Sequence, residues 1–249
     1  MEKQFLVALH VESRRQTFRE LQKILIEGGA HGALLVNNGS KVRAKELLEF
    51  TFETQDKFPD HIIGINALDL STKDVLELVT LGQIERRQIR KLSSQLRDLI
   101  VWSDDGGIRE LNDKAYLDPE LEYYLRGNSS VQQFCIKYYG GVAFKYQPQP
   151  KNLKSVSELA DRRFSVVVTS GAGTGQAADI EKIKAIKSFI GTSSLALASG
   201  TTKENLYQYW PYVDVYIVGT SLLEDVSNQY LYSQQKVKDF RETFELLKL

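Results

Sequence analysis

Two segments near the C-terminal end carry glycines and hydroxyls in a pattern suited to holding a phosphate. The apolar run Ser194–Ala198 leads into Ser199-Gly200-Thr201-Thr202, and Val213–Val218 leads into Gly219-Thr220-Ser221. Each run stops at a glycine beside hydroxyl residues, and a helical pattern follows. Glycine lets backbone N–H groups come close to anionic oxygens, and a helix N-terminus adds partial positive charge. A third segment, Ser170-Gly171-Ala172-Gly173-Thr174-Gly175, follows another apolar run and suits an anion in the same way. It lacks the Gly-Lys-Ser/Thr ending of a nucleotide triphosphatase loop and does not open an N-terminal dinucleotide unit, which argues against NAD. The candidate phosphate-binding residues are therefore Ser170, Gly171, Thr174, Gly175, Ser199, Gly200, Thr201, Gly219, Thr220 and Ser221. Gly200 is expected to leave room for the oxygens, so that Gly200→Val weakens phosphate binding while the fold stays largely intact.

A second set of residues could do acid–base or covalent chemistry. Asp104 and Asp105 could hold Mg²⁺ through carboxylate oxygens, or one could act as a general base. The same two residues before Gly106-Gly107 also suit a plain turn. Lys145 lies in the apolar run Gly141–Gln147, where an ammonium must face a ligand or pair with a carboxylate. It could bind phosphate or form a Schiff base. Pairing with Asp104 or Glu12 is the simplest outcome. His10 and Glu12, two residues apart on an extended strand, should face the same way, as an acid–base pair or as a buried hydrogen-bonded pair. The catalytic set read from the chain is Asp104, Asp105, Lys145 and Glu12, converging in one pocket. Asn37, Asn38, Asn66, Asp69, Gln147 and Thr169 are further polar residues at strand ends. His10, His31 and His61 show no metal-ligand spacing, and the latter two read as structural. Cys135, within Phe134-Cys135-Ile136, reads as a buried small hydrophobe. Trp102 and the tyrosines read as packing.

These residues need a scaffold that gathers strand ends. Strand patterns occur at Phe5–Val11, Ala33–Val36, His61–Asn66, Leu99–Ser103, Gly141–Gln147 and Phe164–Thr169, besides the two runs above. Helical patterns alternate with them. Phe18, Leu21 and Leu25 share one face before Gly28-Gly29, and Lys41–Asp56 follows. A helical region runs from Ser71 to about Leu96, with the basic stretch Glu85–Lys91 as a solvated face. Pro119–Tyr139 reads as a helix with a break at Gly127-Asn128-Ser129, and Lys154–Arg162 as the next. Asp179 can cap a helix striped by Ile180, Ile183, Ile186 and Ile190, and Thr202 can cap the one after it, with Glu204 in its first turn. Val237, Phe240, Phe244 and Leu247 mark the last.

Eight strands alternating with helices imply a parallel sheet with helical crossovers. Near-continuous apolar strands fit burial on both faces. A doubly wound open sheet is the alternative, but 249 residues suit a single (β/α)₈ TIM barrel over 1–249, whose site lies at the C-terminal strand ends. With 32 basic and 32 acidic residues the formal charge is zero, so no global field favours nucleic acid or an acidic membrane. One cysteine permits no disulfide within the chain and fits a reducing, cytoplasmic setting. No stretch is long and apolar enough to span a membrane, and Phe5–Val11 is too short for a signal core. The expected partner is a small phosphorylated ligand, without nucleic acid; a homo-oligomer is compatible with this composition.

The residues also resemble a known family. Val166–Gly175, Ala198–Asn205 and Val215–Ser221 resemble the strand 6, 7 and 8 motifs of the BtpA/SgcQ family of TIM-barrel proteins. Ala33–Asn38 and Ile63–Asn66 are similar to its strand 2 and 3 signatures, and Asp104–Ile108 is a looser match after strand 4. The resemblance covers most of the chain and is strongest over Ser165–Glu224. It implies a ribulose-phosphate-binding type of barrel. Members are associated with photosystem I biogenesis in cyanobacteria or with sugar-related gene clusters. Asn37 stands where the family commonly has an acid, and His10-Val11-Glu12-Ser13 leads straight into a helix where many members carry a proline-rich loop. The combined expectation is a barrel that binds a sugar phosphate or nucleotide, as an enzyme of lyase, isomerase or glycosyl-transfer type, with no cofactor other than an optional Mg²⁺. The alternative is a non-catalytic binding or assembly factor that retains the pocket.

Overall fold

The apolar runs form eight parallel strands that close on themselves. The computed structural model describes residues 2–37, 41–89, 97–125 and 135–249. In chain order the strands are β1 (Gln4–His10), β2 (Gly32–Asn37), β3 (Ile62–Ala67), β4 (Leu99–Ser103), β5 (Ile108–Leu111), β6 (Lys114–Leu117), β7 (Ile136–Gly141), β8 (Val166–Ser170), β9 (Ser194–Ala198) and β10 (Val215–Val218). β5 and β6 pair as an antiparallel hairpin. The other strands form a closed barrel in the order β1-β10-β9-β8-β7-β4-β3-β2. The open-sheet alternative is thereby removed. The described helices are α1 (Arg14–Leu21), α2 (Ala44–Lys57), α3 (Thr72–Ile89), α4 (Pro119–Leu125), α5 (Leu153–Arg163), α6 (Ile180–Phe189), α7 (Leu206–Tyr209) and α8 (Gln234–Leu246). A π-helical segment, Gln22–Glu27, continues α1.

Side chains alternate between two cores. Phe5, Val7 and Leu9 of β1 pack outward with Phe240 and Phe244 of α8 in the layer between strands and helices. Leu6 points inward, with Leu34, Ile100, Val166, Ala196 and Val215 of neighbouring strands. This period of two is a strand property, and burying each large apolar side chain contributes roughly 1.5–3 kcal/mol relative to exposure. The barrel interior is therefore filled, and its open end lies at the C-terminal strand ends.

Three local expectations need correction. The fifth barrel strand is not Gly141–Gln147 but Ile136–Gly141, which overlaps the end of the segment Pro119–Tyr139 read as a helix. A Cβ on Gly141 would fall 1.9 Å from the carbonyl oxygen of Asp104, so β7 must end against the end of β4 at a glycine. Ala143 and Tyr146 then have φ of 47° and 62°, a left-handed backbone that ends any strand. Lys145 thus stands on a loop over the barrel mouth. Second, the helix from Pro119 is described only to Leu125. The proposed break at Gly127-Asn128-Ser129 lies outside the described residues, as do Phe134, Asn38, Gly39 and the 90–96 end of the basic helical region. Third, Cys135 is half-buried, at φ 54°, rather than buried.

The hairpin was not foreseen. Asn112 and Asp113 both take positive φ between β5 and β6, as in a type I′ two-residue turn. Its base is tied to α5: Glu110 accepts from the backbone N–H groups of Lys151 and Asn152, each at 2.8 Å, and Ser155 Oγ accepts from Ala115 N at 3.0 Å. Helix ends follow their caps. Asp179 Oδ1 accepts from Glu181 N at 2.9 Å and starts α6. Thr202 and Asn205 bond reciprocally, but the turn they close leads only to the short α7.

Candidate functional site

The inward alternation continues past the strand ends and selects the groups at the mouth. His10 follows Leu6 and Ala8, Asn66 follows Ile62 and Gly64, and Asp104 follows Ile100 and Trp102. Together with Lys145, Thr174, Ser199, Gly219 and Thr220 they line a cavity of about 200 Å³. Tyr232 lies at its edge, donating to Ala8 O at 2.6 Å and accepting from His10 N at 3.3 Å.

Asp104 receives a hydrogen bond from Asn66 Nδ2 at 3.2 Å. Burial pushes its carboxyl above the usual aspartate range, with that hydrogen bond and the Lys145 charge opposing. The sign of the stability effect follows. A carboxyl with a raised folded-state pKa is destabilising when ionised, and that cost vanishes as pH falls below the unfolded value. Asp104→Asn is therefore expected to melt higher than wild type at neutral pH, with the gap closing in acid. Thermal unfolding across pH checks this; a lower melting point at neutral pH contradicts it.

Lys145 does not pair with Asp104 or Glu12 as the simplest reading had it. Its amine donates to Thr174 Oγ1 at 3.0 Å and lies 3.4 Å from Ser199 Oγ. Its backbone N–H is fixed by Ser170 Oγ at 2.7 Å. Lys182 of α6 supports the same loop by donating to Ala143 O and Ser170 O. Burial lowers the Lys145 pKa, with the Asp104 charge opposing. Burial, helped by the Lys145 charge, pushes His10 down to about 4, so its imidazole is neutral near neutral pH. His10 Nδ1 and Trp102 Nε1 are buried without partners in this mouth. Trp102 packs in the inner core, edge-on to Phe144, and through its place in the inward alternation before Asp104 it also lines the cavity.

The other two members of the catalytic set stand apart from this cavity, so the expected convergence of four is corrected to two. Asp105 is held by Arg109 through two hydrogen bonds, at 2.9 and 2.8 Å, and accepts from Gly107 N at 2.8 Å. That arrangement is a turn, and the guanidinium and N–H hold its pKa below the usual value against the opposing effect of burial. Glu12 pairs with Lys41 on the surface beyond the end of β1, so it does not share a face with His10. Among the described residues, no group of three or more His, Cys, Asp and Glu is placed to hold a metal ion. Asn37 is engaged by Val42 O, Asp69 and Leu68 N, and ties two loops together. Gln147 lines a larger cavity of about 820 Å³ between the hairpin and the loop after β7, which Asp104 also lines. Thr169 is fully buried and alternates with Val166 and Val168, which pack in the inner core. His31 accepts from Phe5 N at 2.9 Å at the opposite end, a structural role.

The glycine–hydroxyl loops meet, but not every member faces the cavity. Thr174, Ser199, Gly219 and Thr220 line it. Ser199 Oγ accepts from Gly175 N and donates to Gly173 O, both at 3.2 Å, joining the loops after β8 and β9. Ser221 Oγ donates to Thr201 O at 2.8 Å, joining those after β9 and β10. Thr201 is 2% exposed and its Oγ1 has no partner. Ser170 and Gly171 hold the backbone of the loop. Gly200 differs from expectation. At φ 71° its Cβ would lie 1.8 Å from Gln176 O, so a backbone crossing requires glycine here and a side chain would disturb the fold. Gly200→Ala is expected to lower stability by at least ~1–2 kcal/mol from the left-handed backbone alone. An unchanged urea midpoint would reject that reading.

A closed parallel (β/α)₈ barrel with polar groups gathered at its C-terminal mouth is a TIM barrel. The BtpA family model matches residues 141–245, and an uncharacterized protein of Methanocaldococcus jannaschii is 39% identical over 212 residues, covering 82% of this chain and 75% of the relative. The chain belongs to the BtpA family. An uncharacterized protein of Thermococcus kodakarensis is 39% identical over 59 residues, 24% of this chain and 22% of that one. Among solved structures, a native KDPGal structure superposes with a TM-score of 0.62 at 12% identity, covering 100% of both chains. Phosphoribosyl anthranilate isomerase from Thermus thermophilus gives 0.59 at 14% identity, covering 98% of each. The tryptophan synthase alpha chain from Legionella pneumophila gives 0.60 at 12%, covering 98% of this chain and 92% of that one. These likenesses show the fold alone. Among the described residues no helix is long and apolar enough to cross a membrane.

Proposed function

We propose that the barrel mouth binds a small phosphorylated metabolite, a sugar phosphate or a nucleotide, and acts on it as an enzyme of lyase, isomerase or glycosyl-transfer type. The observation that carries this reading is the contact of the Lys145 amine with the Thr174 and Ser199 hydroxyls, where the loops after β8 and β9 meet. All three groups can donate to an anionic oxygen. Gly219 leaves the adjoining wall open, since a Cβ there would meet nothing closer than Ala8 at 3.7 Å. Asp104, with Asn66 beside it, is the acid–base group of the cavity. The fold neighbour acting on a phosphoribosyl compound supports the class by analogy of fold.

A panel of phosphosugars and nucleotides, assayed for binding and turnover with and without a chelator, tests this directly. Turnover of at least one member is expected, and loss on chelation would assign Mg²⁺ to the Asp104 carboxylate. One observation favours a second reading, a non-catalytic ligand-binding factor. Asn37, at a position where the family resemblance implies an acid, has its side-chain amide engaged by Val42 O, Asp69 and Leu68 N in tying loops together. Tight binding with no turnover across the panel is the result that selects it.

A further inference from the structure

We propose that Lys145 is a covalent nucleophile that forms an imine with an aldehyde or ketone carbonyl of the bound ligand. This rests on the reading of the mouth as a phosphorylated-ligand site. The amine stands inside the 200 Å³ cavity, and its hydrogen-bond partners are neutral hydroxyls. Among the described residues it forms no ion pair, whereas Lys41 and Lys187 each sit on a carboxylate. The Phe144 and Tyr146 rings flank it, each centred 5.9 Å from Nζ. Left-handed backbone at Ala143 and Tyr146 and the lock on Ser170 aim the side chain inward. Such an arrangement leaves the half-buried amine untied to any anion among the described residues, and the lowered pKa increases the fraction present as free amine.

The same cavity supplies the proton carrier. Asp104 lines it beside Asn66, and burial raises its carboxyl pKa above the usual aspartate value, which favours the protonated form a proton donor needs. The Nζ lone pair attacks the carbonyl carbon and a C–N bond forms. The C=O π electrons move to oxygen, which takes the Asp104 proton. Nζ then returns a proton to the Asp104 carboxylate. In the second half that proton leaves with the carbinol hydroxyl as water, while the nitrogen lone pair closes C=N. The nitrogen keeps its second hydrogen, so the immediate product is a protonated imine beside the Asp104 carboxylate; return of that proton to the carboxylate leaves one neutral imine and one water, and nothing is oxidised or reduced.

The test uses the whole chain with dihydroxyacetone phosphate as the ketone probe, glycolaldehyde phosphate as the aldehyde probe and inorganic phosphate as the control. Sodium borohydride reduces any imine to a stable secondary amine, which intact mass and peptide mapping then locate. One reduced ligand on Lys145 is expected with a carbonyl probe, and none with inorganic phosphate. Lys145→Arg keeps hydrogen-bond donors beside Thr174 and Ser199 but has no nucleophilic amine, so it should stay folded by circular dichroism while losing the adduct completely. Binding of the carbonyl probes without an adduct at Lys145, or labelling unchanged in Lys145→Arg, overturns the covalent role alone. Failure of all three probes to bind overturns the reading of the mouth and this role with it.

Discussion

Asp104→Asn is expected to slow turnover of a phosphosugar substrate by at least about a hundredfold, the usual scale for removing a general acid or base. The replacement keeps the shape of the side chain and an oxygen for the Asn66 N–H, now at 3.2 Å. It removes the ionisable proton from the one carboxylate that reaches the mouth cavity among the described residues. Because burial makes the ionised form costly, the same variant should gain stability at neutral pH while losing rate. A merely structural aspartate would not split the two readouts in this way. Wild-type turnover in a folded Asp104→Asn protein rejects the assignment.

Gly219→Val should weaken phosphosugar binding by roughly tenfold to a hundredfold, the equivalent of overfilling a packed site by about 1–3 kcal/mol. Its backbone, at φ −132° and ψ −83°, lies outside the common helix and strand regions, so a side chain adds some local strain, but a Cβ there meets nothing closer than Ala8 at 3.7 Å. The fold should hold and the cavity should shrink. Gly200→Val makes the informative contrast, because its side chain would run into the backbone of Gln176 and Ala177. Calorimetry should therefore find a folded, weakly binding Gly219 variant, while thermal unfolding finds a Gly200 variant with a lowered midpoint. Equal binding by wild type and Gly219→Val contradicts the placement of the ligand beside β10.

Much of the barrel is legible because fully buried parallel strands are apolar on both faces and end at polar or glycine residues. Leu99–Ser103 and Ser194–Ala198 read that way directly. The alternation that places Leu6 and Ile100 inside also places His10 and Asp104 inside, so half of the mouth follows from strand parity. The fifth strand misled because Val142-Ala143-Phe144 is apolar for another reason: Phe144 covers the mouth of the barrel from a loop and joins its inner core. Lys145 therefore reached the cavity by a route that no strand pattern describes. Asp105 could not be separated from Asp104 by residue type; the Arg109 that claims it comes from the hairpin. The backbone crossing that requires Gly200 is invisible in the sequence because its partner, Gln176, belongs to a different loop. Short, half-exposed β5 and β6 carried too little apolar pattern to stand out, although Asn112-Asp113 is a turn signal.

The most direct test of the ligand reading is a crystal structure of the protein soaked with dihydroxyacetone phosphate. The account predicts phosphate density at the C-terminal mouth, against Gly219-Thr220 and the Thr174 and Ser199 hydroxyls, with the carbon chain directed toward Lys145 and Asp104. A mouth left empty at saturating ligand, or the phosphate seated in the larger cavity by the β5–β6 hairpin, would contradict it.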